Sequence, residues 1–280
     1  MDEEYLSLTS PNKECYNKAL DVYNNILNNG DKYDLCIMCS ELSALCNRNK
    51  YIPIKKARIE HIRRYEMPNI MYESKNVNLV KETQQKILDD ITFGNSYDKE
   101  DKNKIKSIVD SVSLTRSEKI KITKSIPALR GISKEEYVYK VLKSDGYDIR
   151  DIQQGYITYV NVNKFTVKIY GKVDGIMYAD DIPTAVVEIK NRVNHFFEKT
   201  PDHELDQLVC YMVLSKLDIG YIIECYDGKL KYHKYTLDQL LIRWSNMLIC
   251  KNFELTVKHI MYIKNNPKSS RAKKAMYGTK

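Results

Sequence analysis

The stretch 152–192 constrains the fold most, because three β-rich runs follow one another with short turns between them. Tyr156-Ile157-Thr158-Tyr159-Val160-Asn161-Val162 alternates and is rich in β-branched and aromatic side chains, so it reads as a strand. Asn163-Lys164 is a turn. Phe165 to Asp174 reads as a second strand, Asp180-Asp181-Ile182-Pro183 turns the chain, and Ala185 to Lys190 forms a third. The expected unit is a three-strand antiparallel meander. It carries Gly171-Lys172-Val173-Asp174-Gly175 and then Val186-Val187-Glu188-Ile189-Lys190. Glu188 and Lys190 are two residues apart and share one strand face, with Ile189 on the other. Two carboxylates on one face can hold a divalent metal, and a lysine beside them can orient or deprotonate a water. That set suits phosphodiester cleavage.

Helical patterns flank the meander. Ser133 with Glu136 matches a capping box, and Tyr137, Val138, Val141 and Leu142 give the helix an apolar face that Gly146 ends. Glu135 falls on its first turn, where the helix dipole alone would also favour a negative charge. After the meander, Glu204 to Leu214 reads as a helix with Gln207 and Tyr211 on one face. Such a pair also fits a hydrogen-bonded core. Ile219 to Tyr226 is a further strand, paired through Asp227-Gly228 with Lys229 to Tyr235. Leu237 to Phe253 is an amphipathic helix, and Trp244, the only tryptophan, is its core anchor. His195 and His203 flank the Gln207 helix and are surface positions by default.

Upstream, residues 13–30 have helical periodicity. Ser40 is placed to cap a helix from Glu41 to Cys46, whose unpaired N–H groups could receive an anion, although a plain capped helix has the same pattern. Cys36 and Cys39 form a CxxC with Cys46 nearby, but no fourth ligand follows, so buried thiols are expected. Lys50, Lys55, Lys56, Arg58, Arg63 and Arg64 make either a solvated basic face or a phosphate-tracking surface. Residues 76–126 read as an added helical block without chemistry. Val80, Ile87, Leu88 and Ile91 fit one helix, Ile105, Ile108, Val109 and Val112 a second, and 117–124 a third short segment.

The chain has 280 residues and a formal charge of +8, compatible with a polyanionic partner. It has no apolar run of about 18 residues that would span a membrane. The acidic start Met1-Asp2-Glu3-Glu4 is unlike a signal peptide. Seven cysteines, odd in number and scattered, point to reduced thiols in an intracellular compartment. There is no Gly-rich phosphate loop, no Ser-His-Asp pattern and no internal repeat. The expected organisation is a helical region over 1–130, a core over 131–262 and a mobile basic tail over 263–280, with 38–262 one folded unit.

The order of a helix, a meander with D…ExK and a helix with QxxxY resembles the PD-(D/E)XK nuclease superfamily. Within it the chain looks most like the lambda-exonuclease / YqaJ viral recombinase family, related to RecB-type nuclease domains. Ser40-Glu41-Leu42 with Asn47-Arg48-Asn49-Lys50-Tyr51 resembles the family's stretch for handling the DNA end. Gly131 and Glu135 match its GxxxE helix, Gly171 to Gly175 its second motif, Glu188-Ile189-Lys190 the ExK, and Gln207 with Tyr211 the QxxxY. Departures are the long separation between Ser40 and Gly131, Asn where the family often has Gly before Arg48, and a loosely placed Pro183. The resemblance implies an α/β (α+β) fold, with a restriction-endonuclease-like core whose central mixed sheet is flanked by helices. It implies that Asp174, Glu188 and the Ile189 carbonyl hold Mg²⁺, with Mn²⁺ able to substitute, and that Glu135 adds a ligand directly or through water. Lys190 would position the attacking water or stabilise charge, braced by Gln207 and Tyr211. Ser40, Arg48, Lys50 and Lys172 would contact nucleic acid. The implied activity is a 5′-to-3′ exonuclease on linear duplex DNA ends in recombination or repair. A single-strand annealing protein and further copies of the chain are its implied partners, and the host cytoplasm or nucleus its place if the source is viral. An RNA-cleaving or endonucleolytic member of the fold is an alternative. A noncatalytic nucleic-acid-binding protein is another, against which Asp174, Glu188 and Lys190 are all intact.

Overall fold

A computed structural model describes residues 33–66, 77–91, 99–270 and 272–273. The helix expected over 13–30 lies outside these residues. The fold is mixed α/β, with two mixed sheets flanked by helices, as the sequence leads one to expect.

The expected meander is divided between the two sheets. Strands β3 (Gly155–Val162) and β4 (Phe165–Lys172) form an antiparallel hairpin, and β1 (Leu35–Met38) adds to it parallel to β4. The following strand, β5 (Gly175–Ala179), instead joins a five-stranded sheet of order β2-β5-β6-β7-β8. In it β2 is Asp148–Arg150, β6 is Ile182–Asn191, β7 is Ile219–Tyr226 and β8 is Lys229–Thr236. The second expected strand therefore ends at Lys172, two residues early. Val173 still donates to the Gln154 carbonyl, the last rung of the first sheet, and Asp174 is the joint between sheets. Strands β6 and β7 are parallel, so the chain crosses over between them by a helix, Asp202–Ser215, while β7 and β8 are antiparallel. Asp227 and Gly228 both have positive φ, 51° and 70°, which a tight hairpin turn requires.

Each face of β6 has its own partner. Val186 belongs to the main core, with α1 (Cys39–Leu45), α6 (Asp202–Ser215), α7 (Leu237–Ile249) and α8 (Lys251–Asn265). Val187 and Ile189 face the other way, onto Val138 and Leu142. Trp244 is fully buried, as expected of the anchor. The helix expected over 237–253 is two helices, because Cys250 is extended (φ −69°, ψ 139°) and its thiol accepts from Phe253 N to start α8. Lys264, expected in a mobile tail, is in the last turn of α8, where it donates to the Asp34 carbonyl at 2.6 Å and pairs with Glu66 at 3.0 Å.

The helical block has a core of its own. Helices α3 (Val77–Asp90) and α4 (Lys99–Ser111) bury Ile87, Ile105 and Val109, with Ile91 just past α3, against Ile122 and Ile126 of α5 (Arg116–Ser144). Here the structure corrects the sequence reading. Residues 117–124 and the Ser133 helix are one continuous helix of 29 residues, and its capping box is Thr115 with Glu118, not Ser133 with Glu136. The two halves of α5 bury different faces. Ile122 packs in the block, and Val138, sixteen residues on, packs on β6. At 3.6 residues per turn those positions are about 160° apart, so no single apolar stripe runs the length of the helix.

Candidate active site

The sheet joint and β6 bring the acids together. The Oδ2 atom of Asp174 accepts from the backbone N–H of Ile189 at 2.7 Å, while its Oδ1 is 3.3 Å from Gln153 Nε2. The N–H and C=O of one strand residue point the same way in the sheet plane, so the Ile189 carbonyl is also directed to the Asp174 side. Glu188 is on the opposite face of β6 from Ile189. Its Oε1 accepts from Lys190 Nζ at 2.5 Å, and its Oε2 is buried with no partner among the described residues. From α6, Gln207 Oε1 lies 3.3 Å from the same ammonium. The Gln207 amide is oriented by its own donation to Tyr211 Oη at 2.8 Å. Tyr211, Gln207, Lys190 and Glu188 thus form one chain of hydrogen bonds.

Gly171 is what lets Tyr211 reach this position. A Cβ there would stand 2.5 Å from Tyr211 Cε1 and 2.8 Å from Cys39 Sγ. The ring packs directly on the backbone of β4 because nothing projects from Gly171.

Glu135 reaches the same region from α5, mid-helix rather than in a first turn, so the dipole account of its charge does not apply. One turn later Tyr139 donates its hydroxyl to the Asp174 carbonyl at 2.6 Å. Sequence reasoning passed over Tyr139; its signal was the i+4 spacing from Glu135. The acids raise one another's affinity for protons. Burial, then the charge of Asp174, pushes Glu135 up to about 7. Glu188 is pushed up to about 8, chiefly by burial and against the pull of Lys190, with Asp174 adding to the rise. Asp174 is also raised by burial. Burial works against the charge on Lys190, but Glu188 beside it more than offsets this, so the lysine remains an ammonium.

Among the described residues, no three acidic, histidine or cysteine side chains stand close enough to hold a metal by themselves. Two carboxylates completed by a backbone carbonyl are a different donor set, all hard oxygen, and that set suits Mg²⁺. The unpartnered Glu188 oxygen and the crowded negative charge fit a cation there.

Two further ionic networks brace the site, and sequence reading found neither. Arg192, two residues past Lys190 and just beyond the end of β6, donates to Glu204 at 2.7 Å through both terminal nitrogens and to Glu224 at 2.5 Å. Asp206, next to Gln207, is fully buried and accepts from Ser43, Arg48 and Arg243. Arg48, read from the sequence as a nucleic-acid contact, thus has a carboxylate partner between α1 and α6. Ser40 does not cap α1; Met38 takes that place without a side-chain bond, and Ser40 is exposed within the first turn. Lys50 is exposed over the Tyr51 ring, and Lys172 is exposed at the end of β4. The structure does not bring these four into hydrogen-bonding contact with the acids. Cys39 and Cys46 are buried and Cys36 is half-buried.

No protein-family model matches the chain, and no curated protein matches it in sequence. Solved structures give loose likenesses. The crystal structure of SSO0001 is 13% identical, over 92% of this chain and 86% of that one, with a TM-score of 0.40. An alkaline exonuclease, LHK-Exo from Laribacter hongkongensis, is 12% identical over 66% of this chain and 91% of that one, with a TM-score of 0.37. The LHK-Exo complex with dAMP is 10% identical over 91% and 98%, with a TM-score of 0.39.

Proposed function

We propose that the chain is a metal-dependent nuclease of PD-(D/E)XK type that hydrolyses DNA from linear duplex ends in the 5′-to-3′ direction. One observation carries the reading: Lys190 is held between Glu188 and Gln207, on the strand whose preceding backbone N–H, that of Ile189, is taken by Asp174. Asp174, Glu188 and the Ile189 carbonyl would hold Mg²⁺, with Mn²⁺ able to substitute. Glu135 would add a ligand directly or through water. A divalent cation there supplies charge neutralisation at the phosphate and acidifies a coordinated water.

The protein's own groups do the rest. Two of the three ammonium protons of Lys190 point to Glu188 and Gln207, which leaves the third for the attacking water or a phosphoryl oxygen. Gln207 cannot turn its carbonyl from Lys190 without giving up the bond to Tyr211, so the ammonium is aimed before substrate arrives. Ser40, Lys50 and Lys172 are surface groups that would be available to the nucleic-acid backbone, and half-buried Arg48, paired with Asp206, would join them. Recombination or repair is the setting, with a single-strand annealing protein and further copies of the chain as partners.

The test is digestion of end-labelled linear duplex with Mg²⁺, beside a closed circle and an RNA of the same sequence. Loss of linear-duplex digestion in Asp174→Ala and Lys190→Ala, with folding intact, is the expected result. Full activity in either variant overturns the assignment. A circle cut as fast as the linear form makes the protein an endonuclease, and RNA cut faster than DNA makes it a ribonuclease.

A further inference from the structure

Two cysteines from distant parts of the chain meet where α1 ends and α8 begins. Cys46 closes α1 and is buried; Cys250 separates α7 from α8 and is half-exposed. Both thiols reach the same acceptor, the Met247 carbonyl, at 3.3 and 3.2 Å. We infer that Cys250 and Cys46 form a reversible, peroxide-sensitive disulfide that staples the start of α8 to the end of α1.

The two sulfurs have unequal roles. Cys250 is the N-cap of a 15-residue helix, and Phe253 N donates to its sulfur at 3.4 Å. The neighbouring Cys46 thiol, then the Phe253 and Asn252 N–H groups at the helix start and the charge of Arg48, favour the thiolate and against burial hold its pKa down to about 6. Cys46, sealed in the core, is kept a thiol by burial. The half-exposed sulfur is therefore the attacking one and the buried sulfur the resolving one.

The chemistry balances with hydrogen peroxide as oxidant. The Cys250 thiolate attacks one peroxide oxygen, the O–O bond breaks, hydroxide leaves and a sulfenic acid forms. The Cys46 sulfur then attacks the Cys250 sulfur, the S–O bond breaks, and the oxygen departs as water with the Cys46 proton. Two thiols and one peroxide become one disulfide and two waters, and a dithiol reductant reverses the change. The chain holds an internal control in Cys36, also half-exposed, which burial pushes up instead. Cys39 and Cys210 are buried out of reach of peroxide.

The experiment uses the full chain, reduced and then titrated with hydrogen peroxide, followed by alkylation and peptide mass mapping. A Cys46–Cys250 cross-linked peptide, two hydrogens lighter than its parts and released by dithiothreitol, is expected. Before oxidation, Cys250 should alkylate at neutral pH about tenfold faster than Cys36 or more. In a Cys46→Ser protein the reaction should stop at a Cys250 sulfenic acid that dimedone captures. Oxidation of Cys36 ahead of Cys250, or wild-type Cys250 running on to sulfinic acid with no cross-link, overturns the inference. So does survival of both thiols under peroxide that oxidises free cysteine. The wild-type map decides the matter even if the serine variant fails to fold, and no outcome depends on nuclease activity.

Discussion

Replacing Gly171 by alanine tests whether the hydrogen-bond chain is set by packing on β4. The new Cβ would lie 2.5 Å from Tyr211 Cε1, 2.8 Å from Cys39 Sγ and 2.8 Å from Tyr211 Cδ1. Ordinary carbon contacts need at least about 3.5 Å, so the ring must retreat by roughly 1 Å. It is buried on a nearly all-buried helix. Overpacking of this kind costs about 1–3 kcal/mol, and the Gln207–Tyr211 bond adds about 1 kcal/mol if it breaks. For a chain of this size the melting midpoint should fall by roughly 4–12 °C. Activity should fall further than stability accounts for, because Lys190 loses its oriented amide. Tyr211→Phe keeps the ring and removes only the hydroxyl, so it should cost about 1 kcal/mol and the aim of Gln207. The decisive arm is a double-mutant cycle with Tyr211→Leu, which relieves the clash. Melting by circular dichroism should then show a coupling of about 1 kcal/mol or more between Gly171→Ala and Tyr211→Leu. A Gly171→Ala protein that melts with the wild type, or strictly additive effects, would refute the reasoning.

Three more outcomes follow from the charges. Glu135 and Glu188 keep their protons to about 7 and about 8, so a divalent cation must displace protons, and its stabilisation of the fold should grow from pH 6 to pH 9; thermal shifts with Mg²⁺ that are flat across that range would contradict it. Without cation, the raised Glu135 pKa contributes stability that is complete below its unfolded value and lost as pH rises through about 7. Glu135→Gln should therefore be neutral at pH 4 and more stable than wild type by about 1 kcal/mol at pH 9, a figure discounted for its partial exposure, and denaturant titration at the two pH values reads it. Asp206→Asn leaves Arg48 and Arg243 without their shared buried anion and should cost about 3 kcal/mol by the same titration, a loss of under 0.5 kcal/mol being the contrary result.

Much of this was legible in the chain because it lies in short-range pattern. The two-residue spacing of Glu188 and Lys190 gave their common face, and the four-residue spacing of Gln207 and Tyr211 gave their contact. The β7–β8 hairpin was marked by Asp227-Gly228. What the sequence concealed depends on tertiary partners. Val173-Asp174 has the composition of a strand end, and only the competition between two sheets makes it a joint. Gly131 and Ser133 mimic a helix start, yet α5 runs through both because each half is held by a different core. Ser40 looks like a cap, but parallel pairing carries β1 as far as Met38 and the helix begins one residue later. Arg192 and Asp206 gave no local signal, since their partners lie on other elements.

The continuity of α5 fixes a phase relation along the chain. Ile126 sits in the helical block and Glu135 beside Asp174, nine residues apart on one continuous helix. One residue added between them would turn the block by about 100° relative to the acids. Seven added residues nearly restore the angle but carry the block about 10 Å along the axis. An insertion between Ile126 and Tyr139 therefore alters the angle and the distance between the block and the acids together, because that stretch of helix is a ruler and a protractor at once.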